Sequence, residues 1–129
     1  MTAPLDRYER RARCTRVVDG DTQDMIFDLG FSFTHTNRVR LLGVNTPESR
    51  TLDLDEKARG VAATEYVREW MAEAAAQAVD PVWPLVVRTR ITGARGKYGR
   101  MFVTRVWRGD GHELGRDLLE HGHAVVYLP

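Results

Sequence analysis

Between positions 56 and 79 the apolar residues Ala63, Val67, Trp70, Ala74 and Ala78 recur at steps of three and four, while Glu65, Arg68, Glu69 and Glu73 take the other side. That period predicts one long amphipathic helix, with the apolar stripe as core and Asp80-Pro81 as its stop. Elsewhere the pattern shortens to that of strands. Residues 11–18 and 22–29 read as strands around Asp19-Gly20-Asp21, which has turn chemistry. Residues 30–37 read as a second turn, although Phe31 and Phe33 would suit an extension of the strands. Residues 38–44 form a short apolar strand ended by Asn45-Thr46-Pro47, where proline removes a ladder donor and holds an extended bend. Residues 49–55 are polar and read as a loop. Further strands are expected over 84–92 and 100–107, around a Gly- and Arg-rich turn at 92–99. A short helix over 112–121, ended by Gly122, and a last strand over 124–128 complete the chain. Residues 1–9 read as a loose lead-in.

Five or so strands, a helix between the third and fourth and a short helix near the end predict a mainly β protein with α (α+β). The matching architecture is an OB-fold-like, five-stranded Greek-key barrel with one long and one short helix. A length of 129 residues suits one domain, 1–129, with a real core. Phe27, Trp83, Phe102 and Trp107 are read as core residues, and Cys14 as a small strand residue.

Composition adds limits. Hydrophobic residues make up 43% and charged residues 29%, ordinary values for a soluble globular protein. The longest apolar runs are too short for a membrane span, and the first residues lack the apolar core of a signal peptide. With one cysteine there is no internal disulfide, which fits an intracellular setting. A monomer with no membrane association is expected. The four histidines show no zinc spacing. Net charge is only +1, yet arginine outnumbers lysine seventeen to two, a bias that fits a GC-rich bacterial or phage genome. Positive charge gathers at 10–16 and 88–108, where it could form a phosphate-attracting surface.

Three clusters carry candidate chemistry: Asp19-Gly20-Asp21-Thr22, Arg40 through Glu48, and Lys97-Tyr98-Gly99-Arg100. Asp21 offers a carboxylate, Asn45 an amide oxygen and Thr46 a backbone carbonyl, a mixed oxygen set of the kind calcium accepts, with Asp19 as outer support. Arg40, inside an apolar strand, requires an anionic partner, either an internal carboxylate or a substrate phosphate. Guanidinium groups bind phosphate oxygens in pairs and stabilise charge that develops on them. A carboxylate such as Glu48, near a bound water, can serve as general base.

These segments, VVDGDT, VRLLGVNTPE and GKYGRMFV, resemble the thermonuclease (staphylococcal nuclease-like, SNase) family in order and spacing, from about Arg13 to Tyr127. Two departures stand out: Asn45 and Gly96 each replace an aspartate of the family pattern. The resemblance implies the same barrel, a calcium cofactor bound by Asp21, Asn45 and Thr46, and catalytic roles for Arg40, Glu48 and Arg100. It also implies nucleotide contacts by Lys97 and Tyr98, with Tyr127 as a second ring near the site, and cleavage of the 5′-oxygen bond to leave 3′-phosphate ends.

The expected function is therefore calcium-dependent endonuclease action on DNA and/or RNA. Little sequence preference is expected, and single-stranded or frayed substrates should be favoured because stacking platforms suit them. The rival reading is an OB-like nucleic-acid- or protein-binding module of nuclease ancestry, which Asn45 keeps open. Retention of Arg40, Glu48 and Arg100 weighs against a pure binder.

Overall fold

A computed structural model describes residues 5, 7–90 and 100–127. Strands β1 (Glu9–Asp19), β2 (Thr22–Asp28), β3 (Thr34–Leu41), β5 (Leu85–Thr89) and β6 (Met101–Arg108) close into a barrel in the order β1-β2-β3-β6-β5. The β3–β6 pairing is parallel and brings Arg40 beside Phe102; the other four barrel pairings are antiparallel. Two-residue strands β4 (Val44–Asn45) and β7 (Val125–Val126) pair with each other outside the barrel. Helix α1 (Leu54–Gln77) joins β4 to β5, and α2 (Leu114–Glu120) joins β6 to β7. The expected mainly β, OB-like barrel with one long and one short helix is the fold found.

Most of the core follows from strand alternation. Met25 and Phe27 of β2 and Val39 and Leu41 of β3 point inward and are buried. In β6 an irregularity in the pairing with β5, between Arg105 and Val103, lets Val103 and Val106, three residues apart, both be buried. Val67, Trp70 and Ala74 of α1 join this cluster, as do Leu114 and Leu118 of α2. Each fully buried aliphatic side chain of this size contributes about 1.5–3 kcal/mol. The buried carboxylate of Asp117 docks the two helices, accepting from Trp70 Nε1 at 2.8 Å and pairing with His112 Nδ1 at 2.9 Å. Among the described residues no helix is long and apolar enough to cross a membrane.

Several local expectations are corrected. Residues 34–37 are not turn but the first half of β3, paired with β2 from Asp28↔Thr34 onward. Thr34 and Thr36 are exposed, while the half-buried positions are the polar His35, stacked on Phe27, and Asn37, so no apolar alternation marks them. The expected strand over 38–44 is two strands, because a turn at Leu42-Gly43 separates β3 from β4. Helix α1 begins at Leu54, since Asp53 caps it by accepting from the amides of Asp55 at 3.0 Å and Glu56 at 3.1 Å. Its end comes at Gln77, so Ala78 is the cap and not part of the buried stripe. Helix α2 is shorter than the expected 112–121, and the last strand shrinks to β7. Trp83, Phe102 and Trp107 are half-buried, not core; Arg13 lies over the Trp83 ring and Arg90 over that of Phe102. Phe27 is core, only 3% exposed.

Gly60 shows how α1 positions the loop before it. A Cβ at Gly60 would stand 2.5 Å from the carbonyl carbon and oxygen of Glu48 and 2.6 Å from Ser49 N. A mid-helix glycine costs roughly 1 kcal/mol relative to alanine, so the contact with the Glu48 backbone is what this residue provides. Gly60→Ala is expected to lower stability by about 1–3 kcal/mol, against the gain alanine brings to an ordinary helix. Denaturant unfolding checks this, and a stabilised variant contradicts the packing.

Cys14 lies half-buried in β1, and burial pushes its thiol up to about 11. The thiolate population near pH 8 is then far below that of an ordinary cysteine, although each thiolate is more nucleophilic. The net expectation is alkylation of the native protein about tenfold slower than of the urea-unfolded chain. Timed iodoacetamide labelling at pH 8 reads this directly.

Candidate active site

The β1–β2 turn carries Asp19, Gly20 and Asp21. It is shaped from inside by Gln23, a fully buried side chain whose Nε2 donates to Gly20 O at 3.0 Å and, at 3.5 Å, to Asp19 O. Gly20 packs directly under Thr46: a Cβ there would lie 2.8 Å from Thr46 Cγ2. The turn and the Thr46 segment can therefore meet only through a residue without a side chain. Asp21, 8% exposed, crosses that junction. Its Oδ2 accepts from Thr46 N at 3.2 Å and its Oδ1 from Thr22 Oγ1 at 3.2 Å. Asp19 sits on the other flank, where Ser49 Oγ donates to its Oδ1 at 2.7 Å.

Of the two anionic partners open to Arg40, an internal carboxylate or a substrate phosphate, the fold supplies the first. Nη2 lies 3.4 Å from Asp21 Oδ2 and donates to Asn45 Oδ1 at 3.3 Å. Nη1 donates to Val44 O at 3.1 Å and to the carbonyl of Leu41. One guanidinium thus fastens the end of β3 to β4 and to the β1–β2 turn. Asn45 itself is exposed, while Thr46 is buried.

Beyond Arg40 lies a cavity of about 500 Å³, and Arg40, Asn45, Arg90, Arg100, Phe102 and Tyr127 are among its lining residues. Two elements bring these together: the parallel β3–β6 register, and the hydrogen bond from Tyr127 N to Gly43 O at 3.0 Å. Three guanidinium groups and two aromatic rings around one cavity suit a phosphate joined to a planar base. Glu48 is exposed on the loop after Pro47, and its amide donates to Glu56 Oε1 at 3.3 Å. Lys97 and Tyr98 lie outside the described residues.

The oxygen donors fit a hard cation by chemistry. Asp21 Oδ2 and Asn45 Oδ1 both lie against Arg40 Nη2, at 3.4 and 3.3 Å, so the guanidinium is the positive centre they share in this structure. The Thr46 carbonyl belongs to the residue whose amide already binds Asp21. The set carries little negative charge. Among the described residues no group of three or more His, Cys, Asp or Glu side chains stands together as a metal cluster.

Sequence reasoning placed Arg40, Arg100, Asn45 and Tyr127, and the fold gathers all four around the cavity. It missed Arg90 and Phe102 as lining residues, Gln23 and Ser49 as supports of the aspartates, and Glu56 as the acceptor for the Glu48 amide. Phe102 had a usable signal, since it lies two residues beyond Arg100 on the same side of a strand. A polar Gln23 at an inward position of β2 was another. Nothing local marks Ser49, because its partner is thirty residues away.

A search of curated proteins finds no significant match to the chain. A family model described as staphylococcal nuclease homologue, SNase, matches residues 38–128, well over half of the length. The matched stretch contains Arg40, Asn45, Thr46, Glu48 and Arg100, while the β1–β2 turn that holds Asp21 precedes it. With its closed five-stranded barrel and two helices, the chain belongs to the staphylococcal nuclease-like family.

Proposed function

We propose that the protein is a calcium-dependent endonuclease that hydrolyses phosphodiesters in DNA and/or RNA with little sequence preference. The observation that carries this reading is the convergence of Arg40 and Arg100 with two aromatic rings on one cavity, directly beside the Asp21–Thr46 junction. Tyr127 offers a ring to a base, and Phe102 backs Arg90, which favours single-stranded or frayed substrates bound to a monomer. The three arginines neutralise the phosphate, and their fixed positions favour the charge-dense transition state over the ground state. Glu48 takes the proton of the attacking water. By likeness to the family, the leaving group is the 5′-oxygen.

Asp21, Asn45 and Thr46 would hold the calcium ion, which when bound supplies further neutralisation at the same phosphate. Arg40 has a double duty, since it balances Asp21 and also faces the cavity. Truncating it leaves a largely buried carboxylate unpaired, at a cost of about 3–5 kcal/mol in stability. Glu48, exposed on its loop, is therefore the better probe of chemistry.

The expected result is divalent-dependent nicking of supercoiled plasmid and degradation of single-stranded oligonucleotides, abolished by chelator. Glu48→Gln should lower turnover about a hundred- to ten-thousandfold while leaving oligonucleotide binding intact. A wild-type protein that binds but never cuts with Ca²⁺, Mg²⁺ or Mn²⁺ would refute the enzyme reading.

Asn45 sets the metal requirement. An amide in place of a carboxylate removes one negative charge beside the cation, a net loss of roughly 1–3 kcal/mol, or about a five- to hundredfold weaker calcium affinity. Asn45→Asp should restore that factor in a calorimetric calcium titration. Equal affinities in the two proteins would mean that residue 45 does not touch the metal.

A further inference from the structure

Asn45 lines two cavities. One is the arginine- and ring-lined cavity already described. On the other side, a second opening of about 320 Å³ is bounded by Thr46 and Pro47, by Glu56 and Arg59 of α1, and by His123. Two concave openings joined at one residue, with the paired Arg40 and Asp21 beside the join, have the form of a track and not of a single small-molecule pocket.

The chemistry of the second opening is specific. Arg59 is exposed on α1 and makes no hydrogen bond or ion pair with another described residue. Glu56, one helical turn earlier, already accepts from the Glu48 amide at 3.3 Å. The His123 ring is held against Tyr66, with centroids 4.7 Å apart and planes tilted by 30°. A guanidinium and a braced ring near each other suit a phosphate and its sugar or base. The Glu56 carboxylate offsets the Arg59 charge, so a free anion gains little there. An anion tethered to a nucleotide in the first cavity gains through its high effective concentration.

We infer that the opening between Asn45 and Arg59 is a second nucleotide subsite. It receives the neighbouring nucleotide of a strand whose reacting phosphate lies at Arg40 and Arg100. Arg59 contacts the backbone phosphate of that neighbour, and His123 lies against its sugar or base. This inference rests on the nuclease reading above. It makes the minimal well-bound substrate a dinucleotide.

The test compares two ligands by calorimetry in calcium buffer, with wild type beside Arg59→Ala. The first is a nucleoside 3′,5′-bisphosphate. The second is the same nucleotide extended on its 5′ side by one 5′-phosphorylated nucleotide, with methylene in place of the linking 5′-oxygen so that this bond cannot be cut. Wild type should bind the extended ligand more tightly than the bisphosphate. Arg59→Ala should weaken the extended ligand about three- to tenfold, lower the salt slope of its binding by about 0.7, and leave the bisphosphate unchanged. Equal wild-type affinities for the two ligands, or extended-ligand binding unaltered in the variant, would overturn the subsite while bisphosphate binding keeps the nuclease reading intact. Equal weakening of both ligands would overturn it as well, because Arg59 would then act on the first cavity or through the fold. Binding of neither ligand by wild type would remove the nuclease reading and the subsite together.

Discussion

A carboxylate that is almost out of water must be answered by donors, and in this protein the answering groups come from three separate parts of the chain. Asp21 receives Thr22 Oγ1, Thr46 N and the Arg40 guanidinium. Leaving such a group unpaired costs several kcal/mol, so the β1–β2 turn, the end of β3 and the segment before α1 are obliged to meet at one point. Everything in the candidate site is arranged about that junction. Gly20 makes it sterically possible, and Gln23 holds the turn in shape from within the barrel.

The same knot sets the electrostatic character of the site. Arg40 faces the cavity while it balances Asp21, so its orientation is fixed before any ligand arrives. A preorganised guanidinium pays little reorganisation cost when charge develops nearby. Asn45 lets Arg40 share its Nη2 between a carboxylate and an amide, which reduces the negative charge available to a cation.

Helix α1 contributes mechanical definition and no chemistry of its own to the first cavity. Trp70 and Val67 seat it on the barrel, Asp117 locks α2 onto it, and Gly60 admits the Glu48 backbone to its surface. The loop that carries Glu48 is thereby held at three points: Ser49 on Asp19, the Glu48 amide on Glu56, and the contact with Gly60. A polar loop sequence is thus held in a defined course against the helix, while Asn45 is the residue that both cavities share.

Much of this was legible in the chain itself. The helical period of α1, the turn chemistry at Asp19-Gly20-Asp21 and the proline bend after Asn45 are local signals, and each appears where the residues put it. The ordered motifs around Asp21, Arg40 and Arg100 also marked the family and the residues to watch. What the sequence could not decide were relations between distant segments. Residues 34–37 pair as strand with no apolar alternation, because a hairpin arm needs only backbone partners. Phe102 and Trp107 looked like core by composition, yet their faces were settled by barrel closure, which turned Phe102 toward the arginines. The choice of Asp21 as the partner of Arg40, the packing of Glu48 on Gly60 and the shared wall at Asn45 arise only when the chain closes. Hydrophobic period is written in neighbouring residues, whereas ion pairs, close approaches and cavities are properties of residues made neighbours by the fold.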